Sequence, residues 1–176
     1  MLPILFRDLR RHSPGTGPTL AALIWNALTR PGLLATVLLR LQERLVARRM
    51  LAPAKLVRTV CVMLTGADFV PGCRVGPGLY LPHPAAIVIG GEVRVGRDAT
   101  IHQGVTLGER PAEGRGTGSP IVEDGAFIGA GAVVVGPVRI GGKSRIGANA
   151  VVLHDVPHGA TVVGAPARVV GTSSTA

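Results

Sequence analysis

One histidine in this chain stands where a proton-moving side chain would be held still. His83 lies between Pro82 and Pro84 in "LPHPAAIVIGG" (81–91), and proline on both sides keeps the surrounding backbone extended. An imidazole titrates near pH 6.5, so a neutral ring fixed there can accept a proton from a hydroxyl and hand it on. A solvent-facing turn histidine is the plainer reading of the same residues. His102, directly after the apolar Ile101, is the second imidazole expected to project outward. The other histidines are His12, His154 and His158. The thiols Cys61 and Cys73 match no metal-ligand spacing and read as reduced cysteines of a cytoplasmic protein, because "MLPILFRDLRRH" meets charge too early for a secretory leader.

What could position such a ring is visible in the period of the sequence. Apolar residues recur six apart at Val75 and Leu81. After a two-residue shift they recur at Ile89, Val95, Ile101 and Leu107, and then, beyond a loop, at Val122, Ile128, Val134, Ile140, Ile146 and Val152. Four positions after most of them, the residue is small or β-branched, as at Val93, Ala99, Ala126, Ala132, Ser144 and Ala150. Glycine is frequent one position after, which reads as relief of a turn. Such a six-residue period is the signature of a parallel β-helix, in which each unit makes one short strand and a turn. Composition agrees: 25 glycines and 3% aromatic residues in 176 leave Val, Ile, Leu and Ala to fill a narrow interior. Two segments break the repeat, the misfit around 82–88 and "GERPAEGRGTGSP" (108–120), which must be extruded as a loop. Loops on a rigid scaffold commonly carry function.

Residues 17–64 follow a helical period instead, punctuated by Pro18, Pro31-Gly32 and Pro53. Arg40, Arg44, Arg48 and Arg49 read there as a solvated face. The chain thus divides into an N-terminal helical region (1–65), a β-helix (66–171) and a flexible tail (172–176). The net charge of +9 comes from 19 scattered Lys and Arg. With no stacking aromatics between them and no nucleic-acid motif, a polyanion-binding role is disfavoured. The longest apolar run near the N-terminus, 32–39, is too short to span a bilayer.

The segments "GADFVPGCRVGPGLYLPHPAAIVIGG", "IHQGVTLG", "FIGAGAVVVGPVRIGGKSRIGANAVVLHDVP" and "VVGAPARVVG" resemble the left-handed β-helix (hexapeptide-repeat) acyltransferases, and among them the serine acetyltransferases. That resemblance implies an all-β left-handed parallel β-helix with a short helical region ahead of it, forming a homotrimer with acetyl-CoA bound between subunits. In the typical enzyme the N-terminal helices join two trimers. It also implies direct acetyl transfer to a hydroxyl, with His83 as general base and Asp68 as the carboxylate that orients it. Gly108, Gly129, Ala130, Ala148, Arg145 and Arg168 fall at cofactor positions, and Pro82, His102, Gln103 and Ser119 at the acceptor pocket. No metal is expected.

The departures gather at the acceptor. Serine acetyltransferases carry an aspartate immediately before the histidine, where this chain has Pro82. Their loop supplies an Arg-His pair before a proline, where this chain has Gly118 and Ser119 before Pro120. Arg110, Glu113 and Arg115 in the same loop are the candidates to replace those handles. The alternative acceptor is therefore a sugar, an exopolysaccharide unit or a natural-product hydroxyl. A zinc hydrolyase using three histidines on the same coil, and a non-catalytic scaffold, stand as competing classes.

Overall fold

The structure, a computed structural model, describes residues 1–112 and 116–172. Glu113, Arg115 and 173–176 lie outside the described residues. Four helices come first: α1 (Leu2–His12), α2 (Leu20–Thr29), α3 (Pro31–Ala47) and α4 (Leu51–Thr65). Thr19 caps α2 by accepting the Ala22 N–H, and Pro31 opens α3, where its missing N–H costs nothing. Gly66 ends α4 in the left-handed conformation, φ 74°. The helix α1 lies outside the region whose period reads as helical.

From Asp68 onward the backbone winds through three parallel sheets that form the faces of a prism. The first face stacks Asp68–Phe69, Val88–Ile89, Thr106–Gly108, Val133–Val135 and Val151–Val152. The second stacks Arg74–Val75, Arg94–Val95, Ile121–Val122 and Arg139–Ile140. The third stacks Thr100–Ile101, Phe127–Ile128, Arg145–Ile146 and Ala160–Val163, and is closed by the antiparallel strand Arg168–Thr172. That last strand runs one residue into the segment expected to be tail.

Register follows the six-residue period. Val133 pairs with Val151, and Phe127 with Arg145, so one turn of the coil takes eighteen residues. Asp68 pairs with Val88, two residues more, which places the first interruption at the His83 corner. Thr106 pairs with Val133, nine residues more, and the excess leaves the prism as an antiparallel hairpin of Arg110–Ala112 with Gly116–Gly118. Both the aliphatic series and the small-residue series point inward. Ile89, Ile101, Leu107, Ile128, Val134, Ile140 and Ile146 are completely buried, as are Val93, Ala99, Val105, Ala126, Ala132, Ser144 and Ala150.

The glycine after the inward residue has a different reason from the one its turn-rich sequence suggests. At Gly129 a Cβ would meet the Ala148 nitrogen at 2.8 Å and the Ile146 oxygen at 2.9 Å, and at Gly76 it would meet the Gly96 backbone at 2.6 Å. These positions are bare because the next rung is too close. Left-handed turns come two residues later, at Gly78, Asp98, Gly104, Gly125, Gly131, Lys143 and Asn149.

A β-helix has an open first rung whose peptide groups lack a strand to pair with. Here helix side chains satisfy them. Asp8 of α1 accepts from the Gly78 and Leu79 nitrogens at 2.7 and 3.1 Å. Glu43 accepts from the Val75 nitrogen, Gln42 donates to the Phe69 oxygen, and Arg40 donates to the Val75 and Gly76 oxygens. Arg40 is therefore not on a solvated face: it is 4% exposed and pairs with the wholly buried Asp8 at 3.0 Å. Arg44, Arg48 and Arg49 are exposed, as expected. His12 completes the cap, its Nε2 accepting from the Leu81 nitrogen at 3.3 Å and its Nδ1 meeting the Asp8 oxygen at 2.9 Å. Burial lowers its pKa, which keeps Nε2 free to accept.

Arg40→Ala strands a buried carboxylate and is expected to cost about 3–5 kcal/mol in urea denaturation; a loss below ~1 kcal/mol would contradict the cap. Gly129→Ala is expected to cost about 1–3 kcal/mol by overpacking two rungs, measured the same way. An unchanged midpoint would mean that the rungs yield.

Candidate active site

The residues expected to do chemistry fall on one edge of the prism, the corner between its third and first faces. Four backbone hydrogen bonds run down that corner from rung to rung. Ala86 donates to the Gly66 oxygen at 2.9 Å, Gly104 to Ala85 at 3.0 Å, Gly131 to Gln103 at 2.8 Å and Asn149 to Ala130 at 2.8 Å. His83, the pair His102 and Gln103, the pair Gly129 and Ala130, and Ala148 consequently occupy four successive rungs. Neighbouring rungs are separated by the sheet spacing of about 4.8 Å. His83 is exposed, while Pro84 behind it is buried.

His102 is half-buried on the rung after His83, with its ring 5.0 Å from that of Phe127. Burial lowers the His102 pKa, and the nearby His83 lowers it further. On the far side of Phe127, the Arg145 guanidinium stacks 4.5 Å from the ring centroid. A cation is thus held beside the corner where small residues leave the backbone open. Phe127 carries no chemical signal in the sequence beyond being one of three phenylalanines. Its role emerges only from its position opposite Arg145 in register.

Other expected residues lie elsewhere in the single chain. Gly108 and Ser119 flank the hairpin at the next corner, across the first face. A Cβ at Gly118 would come within 2.8 Å of Pro137 Cβ, and the Ser119 hydroxyl is enclosed without a partner. Arg168 is exposed at the C-terminal end of the third face, pairing across from Val163. Gly129, expected to make room for a cofactor, makes room for the next rung instead. Ala130 and Ala148 remain the open positions.

Asp68 sits on the first rung and receives its strand bond from the corner segment, its nitrogen donating to Ile87 at 2.8 Å. Its carboxylate makes no hydrogen bond or ion pair with His83 in the single chain. Both oxygens are held by Arg58 of α4, Nε to Oδ1 at 2.5 Å and Nη2 to Oδ2 at 2.7 Å. Arg58 went unnoticed in the sequence because it is one of many arginines on a helix, ten residues before Asp68. The thiols are no rivals as nucleophiles. Cys61 and Cys73 are free and buried, and burial pushes Cys73 up to about 12.

Comparison with known proteins agrees with this geometry. Residues 119–154 match the bacterial transferase hexapeptide family (six repeats). The chain is 50% identical over 111 residues to the serine acetyltransferase of Mycobacterium tuberculosis, covering 63% of this chain and 48% of that one, so it spans about half that relative's length. It is 39% identical over 140 residues to the serine acetyltransferase of Helicobacter pylori strain J99, covering 80% of this chain and 81% of the relative. Serine acetyltransferase from Brucella abortus strain S19, solved in complex with coenzyme A, superposes with a TM-score of 0.82 at 29% identity, covering 99% of this chain and 68% of that one. The wound prism, the sequence identity and the shared architecture lead to one conclusion: the chain belongs to the serine acetyltransferase family of hexapeptide-repeat acyltransferases.

Proposed function

We propose that this protein is an acetyl-CoA-dependent O-acetyltransferase that transfers acetyl directly to a hydroxyl acceptor, with His83 as general base. The observation that carries this reading is the alignment of His83, His102, Gln103, Ala130 and Ala148 on consecutive rungs of one corner. The base stands at one end of that line, and the open small residues with Arg145 stand at the other. Neutral His83 takes the acceptor's proton as its oxygen attacks the thioester carbonyl. The C–S bond then breaks, and the imidazolium returns the proton to the departing thiolate. The resemblance gives Asp68 the task of stabilising the charged ring, a contact the single chain does not make because Arg58 holds both carboxylate oxygens. Arg145, fixed by Phe127, is positioned for the phosphates of CoA. Arg168 and Gly108 belong to the cofactor groove only if a second copy of the chain supplies or completes it. A homotrimer in the cytoplasm is the assembly we infer. Among the described residues no single helix is long and apolar enough to cross a membrane.

The acceptor need not be free serine. The charged handles that would read an amino acid are replaced by Pro82, Gly118 and Ser119. The tight approach of Gly118 to Pro137 leaves no space there for a longer side chain without moving the hairpin. Each lost charge-assisted hydrogen bond typically costs about 1.5–3 kcal/mol. A neutral polyol such as a sugar asks for no such pair, which favours it over serine.

His83→Ala is expected to lower acetyl transfer by about 10²–10⁴-fold while leaving the assembly's mass unchanged. CoA thiol release is followed with L-serine, homoserine and common sugars as acceptors. Normal turnover in His83→Ala, with loss in His102→Ala, would reassign the base. Efficient use of L-serine by the unaltered protein would contradict the sugar preference.

A further inference from the structure

The excess positive charge of this chain is carried almost entirely by its helical region. Residues 1–65 hold ten Lys and Arg against two acids, whereas the rest of the chain holds nine against eight. Four of the ten are paired: Arg7 and Arg11 with Asp98, Arg40 with Asp8 and Glu43, and Arg58 with Asp68. Arg10, Arg30, Arg44, Arg48, Arg49 and Lys55 are exposed and make no ion pair among the described residues. No acid of the region is left to balance them. Asp8 is buried, and Glu43 is spent on Arg40 and the Val75 nitrogen.

The same region exposes an apolar helix. The helix α2 carries no charged residue, and its Leu23 packs inward with Leu5, Leu9 and Leu33. On its outer side Leu20, Ile24 and Leu28 recur four apart with Trp25 beside them. Trp25 is 68% exposed and Leu28 74%. A surface helix ordinarily turns a polar face to water, whereas this one turns out its largest apolar side chains. Cations stand next to it: Arg30 caps its C-terminal end, and α1, which packs on it, carries Arg10. The groove lined by Leu2, Pro3, Phe6, Arg7, Arg10 and Pro18 repeats the mixture of apolar surface and arginine.

We propose that the outer face of α2 docks this protein onto an anionic lipid bilayer, lying in the interface rather than crossing it. Ten residues of helix reach only about 15 Å, too short to span, and α2 and α3 are bent 117° apart. Leu, Ile and Trp at the boundary between headgroups and acyl chains, with basic side chains among the phosphates, is how interfacial helices bind. The cations farther along the helices add long-range attraction to a negative surface. A second copy of the chain fits the face less well, because two regions of like charge would be pressed together. A nucleic acid would take up the charge and leave the apolar face in water.

Trp25 is the only tryptophan, so its fluorescence reports on this face directly. With vesicles of phosphatidylglycerol and phosphatidylcholine, the full chain is expected to co-sediment while Trp25 emission moves to shorter wavelength. Vesicles of phosphatidylcholine alone, or raised salt, are expected to weaken binding by about tenfold. Ile24→Ser combined with Leu28→Ser, both facing outward, is expected to lower partitioning by about tenfold or more with the circular dichroism unchanged. Arg10→Gln combined with Lys55→Gln is expected to lower it several-fold. An unmoved Trp25 emission, equal binding to neutral vesicles, or unchanged partitioning of the serine variant overturns the inference. A particle mass that falls in the serine variant, with no vesicle binding by either protein, overturns it too and gives the face to a second copy.

Discussion

The ladder of peptide hydrogen bonds between rungs eighteen residues apart governs everything else in this molecule. Before the last rung the strands are only two or three residues long, too short to be stable alone. They hold because each inner strand sits between the one before and the one after, and because the interior is filled mainly by Val, Ile, Leu and Ala. Close stacking in turn forbids side chains at positions such as Gly129 and Gly76. The outcome is a stiff prism in which residues eighteen apart in sequence become vertical neighbours. A site that needs a proton acceptor, an acceptor pocket and a cofactor groove in line can be assembled along one corner, with no mobile element needed to bring them together.

Such a coil is stable only if its open end is closed. Here that role falls to side chains rather than to another strand. Asp8, His12, Arg40, Gln42 and Glu43 supply the missing partners for the first rung. The buried Asp8–Arg40 pair tolerates its desolvation because both groups spend their remaining valences on backbone groups that would otherwise be orphaned. The helices also leave a broad apolar surface uncovered, including Trp25 and Leu28 on α2 and Leu56 and Met63 on α4.

The prism was legible in the sequence because its period is written in residue types. Inward positions carry branched or aliphatic side chains at a spacing of six, and both insertions show as slips of that phase. The location of His83 was legible for the same reason, since the two-residue slip falls beside it. What could not be read were contacts between residues distant in sequence that rely on charge alone. Nothing near Arg40 separates it from Arg44 or Arg48, yet one is buried against Asp8, thirty-two residues away, and the others face water. The same holds for Arg58 and Asp68. The helix α1 falls inside the N-terminal region expected to be helical, but its own bounds were not legible because Leu5 and Leu9, the buried leucines, are interleaved with arginines. The purpose of the glycines was misread because tight stacking and tight turning select the same residue.

Helix, corner and groove meet in a single spatial claim: the donor lies along the edge that carries His83, His102, Ala130 and Ala148. Crystallising the protein with CoA tests that claim most directly. The account predicts the thiol end near His83 and the phosphates near Arg145, in a cleft completed by a second copy of the chain. CoA bound instead at the opposite corner, against Glu123, Lys143 and His158, would contradict it.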